Sequence, residues 1–376
     1  MDVTIIDKGA VYHSEKTFAY SAWPTVTKLT DGTIAVVFSG NRAWHVCPFG
    51  RLLISKSTDN GATWTEPQTI MDTLLDDRDG GICVFGEAKD KIFVSSFTNT
   101  SDMQSDLLKN EGMRMAFLAI TDELVALNDS YYNYLFSRFD KKEVEDSYLG
   151  GTYKISYDNG ATFTDFGLLP ISAPHGPTAT KDGKLLFVGK ALTDKESYSG
   201  IKSPGKGFWL YESTDGKAWA EPKLVLPLTD QENDIYSEAH VLVTENDRIL
   251  VQIRGNEANK QGTHQTYSDD GGNSFTPLQL VAEKGFPSHL LKLKDNSILM
   301  SYGYRFDDMG IRMKLSNDDG STWSDEIVLL GGAENGDLGY PSTIELEDGT
   351  FLTTYYQIEA GNKNAGIYYV KWRLNK

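Results

Sequence analysis

One eight-residue pattern, Ser-x-Asp-x-Gly-x-Thr/Ser-aromatic, occurs four times in this chain and constrains its fold more than any other feature. The copies are Ser57-Thr58-Asp59-Asn60-Gly61-Ala62-Thr63-Trp64, Ser156 to Phe163, Ser268 to Phe275 and Ser316 to Trp323. A further copy, Ser213-Thr214-Asp215-Gly216-Lys217-Ala218-Trp219, is one residue short. The residue types describe a tight hairpin turn. Asp and Asn satisfy the turn's backbone N–H groups, Gly takes a positive φ, and the aromatic packs back over the turn. A single copy is an ordinary β-turn. Recurrence along the chain marks a repeat architecture.

A second repeat runs out of phase with the first: apolar strand, Asp/Asn-Gly-type turn, apolar strand. Trp23-Pro24-Thr25-Val26-Thr27-Lys28-Leu29-Thr30-Asp31-Gly32-Thr33-Ile34 is matched nearly residue for residue by Tyr340-Pro341-Ser342-Thr343-Ile344-Glu345-Leu346-Glu347-Asp348-Gly349-Thr350-Phe351. Others begin near Asp79, His175, Glu238 and Phe286. Every hairpin but the last is followed by a Ser-x-Asp turn. The pattern predicts an all-β chain folded as a six-bladed β-propeller, with each turn joining the outer strands of a four-stranded blade. The final strand, Ala365 to Trp372, is expected to pair with an N-terminal strand around Val3 to Ile6 and so close the last blade. The step from Asp79 to His175 is longer than the others. Helix-compatible periodicity at Thr121 to Asn128 and Tyr132 to Glu145 places a partly helical insertion at about 98–150, in blade two. Such an insertion serves as a lid, a partner surface or surface decoration. Residues 1–376 are read as a single propeller domain.

Composition agrees. Thirty-five Gly against 12 Pro, with 19 Tyr, 17 Phe and 7 Trp, suit many turns and aromatic-rich strands. Lys+Arg 36 against Asp+Glu 53 gives −17. That field repels polyanions and argues against nucleic acid or an anionic membrane as partner; any anionic ligand needs a local arginine cluster. Two cysteines, Cys47 and Cys83, make neither a disulfide framework nor a Cys-rich metal site. No apolar run is long enough for a membrane span, and Met1 to Asp7 carries no leader pattern, so a cytoplasmic location is expected. No cofactor and no metal are expected.

The Ser-x-Asp turns resemble the Asp-boxes of the sialidase (neuraminidase) superfamily, and the likeness covers the chain outside the insertion. It implies a site where inner strands converge at one end of the channel. Tyr236-Ser237-Glu238-Ala239-His240-Val241 is similar to the family segment whose glutamate activates a tyrosine. Arg254 and Arg305 resemble arginines that grip a substrate carboxylate, and Tyr340 stands where the family keeps its nucleophile. The chemistry suits these types. A carboxylate sugar departs through a cationic state, and a glutamate-activated phenol is a better nucleophile there than a second carboxylate. Paired arginines give bidentate, charge-assisted contacts.

Two positions depart from the family. Ala22-Trp23-Pro24 stands where the family has Arg-Ile-Pro, and the stretch Asn41 to Arg51 holds no carboxylate where the family has its acid/base aspartate. Arg42, Arg51 and Arg78 are candidate replacements for positive charge; His45, Asp77 and Asp79 are candidate proton donors. His175, His240 and His289 fall near inner-strand starts and are candidates for the substrate rim, though their spacing is no metal motif. Trp44 stacks on a sugar or fills a loop. The resemblance implies an exo-glycosidase releasing a terminal acidic sugar, with a carbohydrate as the partner. An arabinan- or uronate-directed exo-hydrolase and a non-catalytic carbohydrate-binding propeller stand as alternatives.

Overall fold

The computed structural model describes residues 2–112, 120–191, 195–257 and 260–375. Strand β1 (Asp2–Tyr12) precedes blade one, which is β2 (Tyr20–Lys28), β3 (Ile34–Arg42), β4 (Arg51–Ser57) and β5 (Gln68–Met71). Blade two is β6 (Arg78–Phe85), β7 (Lys91–Thr98), β8 (Gly150–Ser156) and β9 (Gly167–Leu169). Blade three has a broken inner edge, β10 (Ile171–Ser172) and β11 (Thr178–Ala179), both pairing β12 (Leu185–Ala191). After a short β13–β14 hairpin (Ser197–Tyr198, Ile201–Lys202) it continues with β15 (Phe208–Ser213) and β16 (Lys223–Leu226). Blade four is β17 (Tyr236–Val243), β18 (Ile249–Gly255), β19 (Gly262–Ser268) and β20 (Gln279–Glu283); blade five is β21 (Gly285–Lys292), β22 (Ile298–Tyr304), β23 (Gly310–Ser316) and β24 (Ile327–Leu330).

Blade six is β25 (Leu338–Glu345), β26 (Phe351–Gln357) and β27 (Gly366–Asn375), completed by β1. The register runs from Asp2 opposite Asn375 to Tyr12 opposite Ile367. The ring is therefore closed by the N-terminal strand, as the missing sixth turn implied. Six apolar clusters fill the seams between neighbouring blades. Val36 and Phe38 of blade one meet Leu352 and Tyr356 of blade six, for example, all fully buried. Inner strands are buried on both faces, which is why they read as continuous apolar runs.

The Ser-x-Asp turns join third and fourth strands of blades one to five. In the first, Gly61 N–H donates to Ser57 Oγ at 2.9 Å, and Thr63 N–H donates to Asp59 Oδ1 at 2.9 Å. Their aromatics do more than cover the turn. Trp64, Phe163, Trp219, Phe275 and Trp323 each pack into a cluster shared with the preceding blade. A Cβ on Gly61 (φ 87°) would lie 2.4 Å from Leu352 Cδ1, so the turn's glycine is also where blade six touches blade one.

The expected insertion lies between β7 and β8, except that 113–119 fall outside the described residues. It carries α1 (Ser101–Lys109), α2 (Asp122–Arg138) and α3 (Lys141–Tyr148). Thr100, Thr121 and Asp140 cap the three helices by accepting backbone N–H bonds. A short α4 (Asp230–Ile235) with a Thr229/Glu232 capping box enters blade four. Among the described residues no helix is long and apolar enough to cross a membrane.

Candidate active site

At the start of the inner strands in blades one, two, four and six, the chain turns a sharp corner. Trp23 (φ 57°), Asp79 (57°), Glu238 (47°) and Tyr340 (50°) all lie in the left-handed region. Each corner coincides with a shift in strand register. Such backbone costs about 1–3 kcal/mol per residue and persists where surrounding structure fixes it, commonly at functional sites. The corners bring residues distant in sequence into one cluster.

The Tyr340 hydroxyl donates a short hydrogen bond to Glu238 Oε1. Arg254 Nη1 donates to the other oxygen, Oε2, at 2.8 Å. One glutamate oxygen thus faces the phenol while the other is anchored. Burial, then the charges of Glu238 and Asp79, push the Tyr340 phenol well above its ordinary value. Buried Asp79 is pushed up to about 7, first by burial and then by Glu238, so its carboxyl is largely protonated below neutral pH. Phe286 carries both arginines, with Arg254 4.4 Å and Arg305 5.9 Å from its ring centroid. Arg305 donates from Nε to Leu338 O at 3.0 Å and from Nη2 to Tyr356 Oη at 3.4 Å. Among the described residues Arg254 Nε is buried without a partner, a donor suited to an anion.

Trp23 occupies the corner next to Ala22, the residue that stands where the resemblance had an arginine. Arg78, from the neighbouring blade, lies over its ring at 4.4 Å and donates to His45 O at 3.0 Å. His45 packs edge-on against Trp23, with centroids 5.0 Å apart; Trp23 in turn lies 6.3 Å from the Tyr340 ring. The structure thus brings together Glu238, Tyr340, Asp79, Arg254, Arg305, Arg78 and His45.

Other candidates lie elsewhere. Arg42 is fully buried and forked onto Asp76 at 2.5 and 2.7 Å, so it braces the loop bearing His45 and offers a ligand nothing. Arg51 pairs with Asp72 at 2.7 Å on the exposed rim. Asp77 is spent on a turn: one oxygen accepts from Thr73 N–H at 2.7 Å, the other lies 3.2 Å from Thr73 Oγ1, and burial pushes its carboxyl up to about 8. Trp44 is buried against Val46, Leu108 and Ile120, tying the His45 loop to the insertion.

His175, His240 and His289 do not form a rim. They plug the channel as a buried trio, with ring centroids 4.7–5.5 Å apart. His240 Nδ1 accepts from Leu290 N–H at 2.9 Å and His289 Nδ1 from Thr343 N–H at 3.5 Å. When neutral, both rings therefore carry their proton on Nε2 and have no lone pair there for a metal. Among the described residues no group of His, Cys, Asp or Glu is placed to hold a metal ion.

Asp337, Tyr20 and Tyr356 escaped the sequence reading. Each is buried, and together they surround His45. A positional signal exists: Tyr20, Asp76 and Asp337 each stand three residues before a corner, at Trp23, Asp79 and Tyr340.

Comparison with known proteins agrees with this architecture. The BNR repeat-like domain family matches residues 134–353. No curated protein matches the chain. Among solved structures, a protein of unknown function from Dyadobacter fermentans is 24% identical over 99% of both chains, with a TM-score of 0.72. The Hadza microbial sialidase Hz136 is 15% identical, with a TM-score of 0.62, over 97% of this chain and 68% of its own. Penicillium chrysogenum α-L-arabinanase, solved with arabinobiose, is 12% identical over 97% of this chain and 98% of its own, with a TM-score of 0.60. With a family match spanning more than half its length and a sialidase-like ring of six blades built on the same turns, the chain belongs to the BNR repeat-like family.

Proposed function

We propose that this protein is a retaining exo-glycosidase that releases a terminal acidic sugar, with Tyr340 as nucleophile and Glu238 as its base. The observation that carries the reading is the Tyr340–Glu238–Arg254 chain. A phenol pushed above its ordinary value is fully protonated at neutral pH and attacks only if an adjacent base accepts its proton. Glu238 Oε1 is in place to do so. Arg254 anchors the carboxylate and, with Arg305 and Arg78, supplies local positive potential in a chain of −17. The proton donor to the leaving oxygen is Asp79 or His45; Asp77 is not available.

A panel of 4-methylumbelliferyl glycosides, the sialoside first, tests the reading. The expected result is turnover of an acidic glycoside with the retained anomer appearing first by NMR. Tyr340→Phe and Glu238→Gln are each expected to lower kcat by about 10²–10⁴, non-additively. Normal turnover by Tyr340→Phe, or the inverted anomer first, rules the tyrosine mechanism out. Ala22 in the arginine's place favours one second reading, a neutral or uronate-type sugar on the same machinery, which turnover of arabinosides or uronides alone would select.

A further inference from the structure

We propose that His45 is the acid–base group of this site and that Asp337 is its positioning residue, fixing the imidazole tautomer from blade six. The inference rests on the glycosidase reading above but is read by a separate measurement. Asp337 Oδ2 accepts from the Tyr20 hydroxyl at 2.8 Å, and Oδ1 accepts from the Tyr356 hydroxyl at 3.0 Å. His45 Nδ1 lies 3.1 Å from Asp337 Oδ1 and 3.0 Å from Tyr20 Oη. Tyr20 has one proton and gives it to Asp337, so it turns a lone pair toward His45. Although burial disfavours its charge, His45 and Tyr20 hold the Asp337 carboxyl below its ordinary value. It is ionised and only accepts. With acceptors on both sides, Nδ1 must carry a hydrogen. Proton transfer then falls to Nε2.

Among the described residues, the titratable and charged groups around His45 are Asp337 and Tyr20 at the ring and Arg78 and Arg42, which donate to its carbonyl at 3.0 Å each. Burial lowers the ring's affinity for a proton, Asp337 raises it and the arginines lower it; the net direction is down from 6.5. The imidazolium fraction therefore grows as pH falls below 6.5. In the first step the Tyr340 oxygen bonds the anomeric carbon while the bond to the leaving oxygen breaks. The phenol proton passes to Glu238, and the leaving oxygen takes the Nε2 proton of the His45 imidazolium. In the second, water gives a proton to Nε2 and its oxygen bonds the anomeric carbon. The tyrosyl oxygen departs and recovers its proton from Glu238. One water is consumed and the protein is restored.

Two measurements test this. NMR of His45 in the wild type, without substrate, is expected to show the Nδ1–H tautomer. In Asp337→Asn its pKa is expected to drop by about one unit or more, because the anion beside it is gone. Kinetics compare the 4-methylumbelliferyl glycoside cleaved in the panel with the methyl glycoside of the same sugar, whose leaving oxygen needs a proton. Asp337→Asn and His45→Ala are each expected to lower kcat/KM about 10²–10⁴-fold on the methyl glycoside and at most about 10-fold on the activated one. An unchanged His45 pKa, or equal losses on both substrates, overturns the proposal. So does Asp79→Asn showing the leaving-group dependence in place of Asp337→Asn. If Asp337→Asn fails to fold, His45→Ala and the wild-type tautomer decide. Normal turnover by Tyr340→Phe defeats the nucleophile assignment while leaving the NMR result to judge the dyad.

Discussion

Replacing His240 with Asn isolates the cost of keeping an uncharged imidazole in the propeller channel. His240 is buried against His175 and His289, and burial pushes its pKa down to about 3. An unfolded chain binds this proton near 6.5. Between those values the unfolded state holds a proton that the folded state refuses, so stability falls as pH falls below 6.5. From pH 8 to pH 5 the loss is RT ln(1 + 10^1.5), about 2 kcal/mol. Asn offers an acceptor near the Nδ1 position for the Leu290 N–H and cannot titrate. Asp77 and Asp79 act in the opposite sense: their folded pKa values, about 8 and about 7, exceed the unfolded value, so they favour folding on the acid side. Both remain in the variant and cancel in the comparison. Urea unfolding followed by tryptophan fluorescence, after a refolding check, gives the stability gap between wild type and His240→Asn at each pH. The gap is expected to narrow by about 2 kcal/mol from pH 8 to pH 5. A gap that is constant, or widens in acid, refutes the buried neutral trio.

Deleting residues 2–12 removes β1 and bares the edge of β27, whose Val370 and Trp372 are fully buried; a Tm lower by about 10 °C or more is expected, and an unchanged Tm defeats the closure argument. Arg254→Ala leaves Glu238 without its anchor, so kcat/KM is expected to fall about 10²–10³-fold even on a neutral analogue. Arg305, whose bonds among the described residues go to Leu338 O and Tyr356 Oη, is different: Arg305→Ala is expected to cost a similar factor on the acidic glycoside alone. Equal behaviour of the two variants across both substrates would contradict this division of labour.

The repeats made the blades legible because each encodes a local event: a turn whose Ser and Asp bond nearby N–H groups, or an apolar hairpin. Glu238, Tyr340 and Asp79 were legible for a related reason, since they occupy equivalent positions in the hairpin repeat. The burial of Arg42 was not, because its partner Asp76 lies in the next blade and only the folded ring joins them. The histidines misled in the same way. Sequence placed them near strand starts but not on which side of the corner, and they pack inward beneath Tyr340, His175 lying 6.4 Å from that ring. Asp337 is marked only by its place three residues before a corner; its three partners come from blade one, the loop after β3 and blade six.

The left-handed corners also separate what a blade is from what it does. The residue at a corner projects its side chain from a bulge, where the ladder's hydrogen bonds are already interrupted. Exchanging Trp23, Asp79, Glu238 or Tyr340 therefore disturbs little of the pairing that holds the blades together. Each corner behaves as an interchangeable socket at a fixed address around the channel. Side chains facing the channel can change at these addresses while the ladders around them stay, so the wheel and what it holds vary separately.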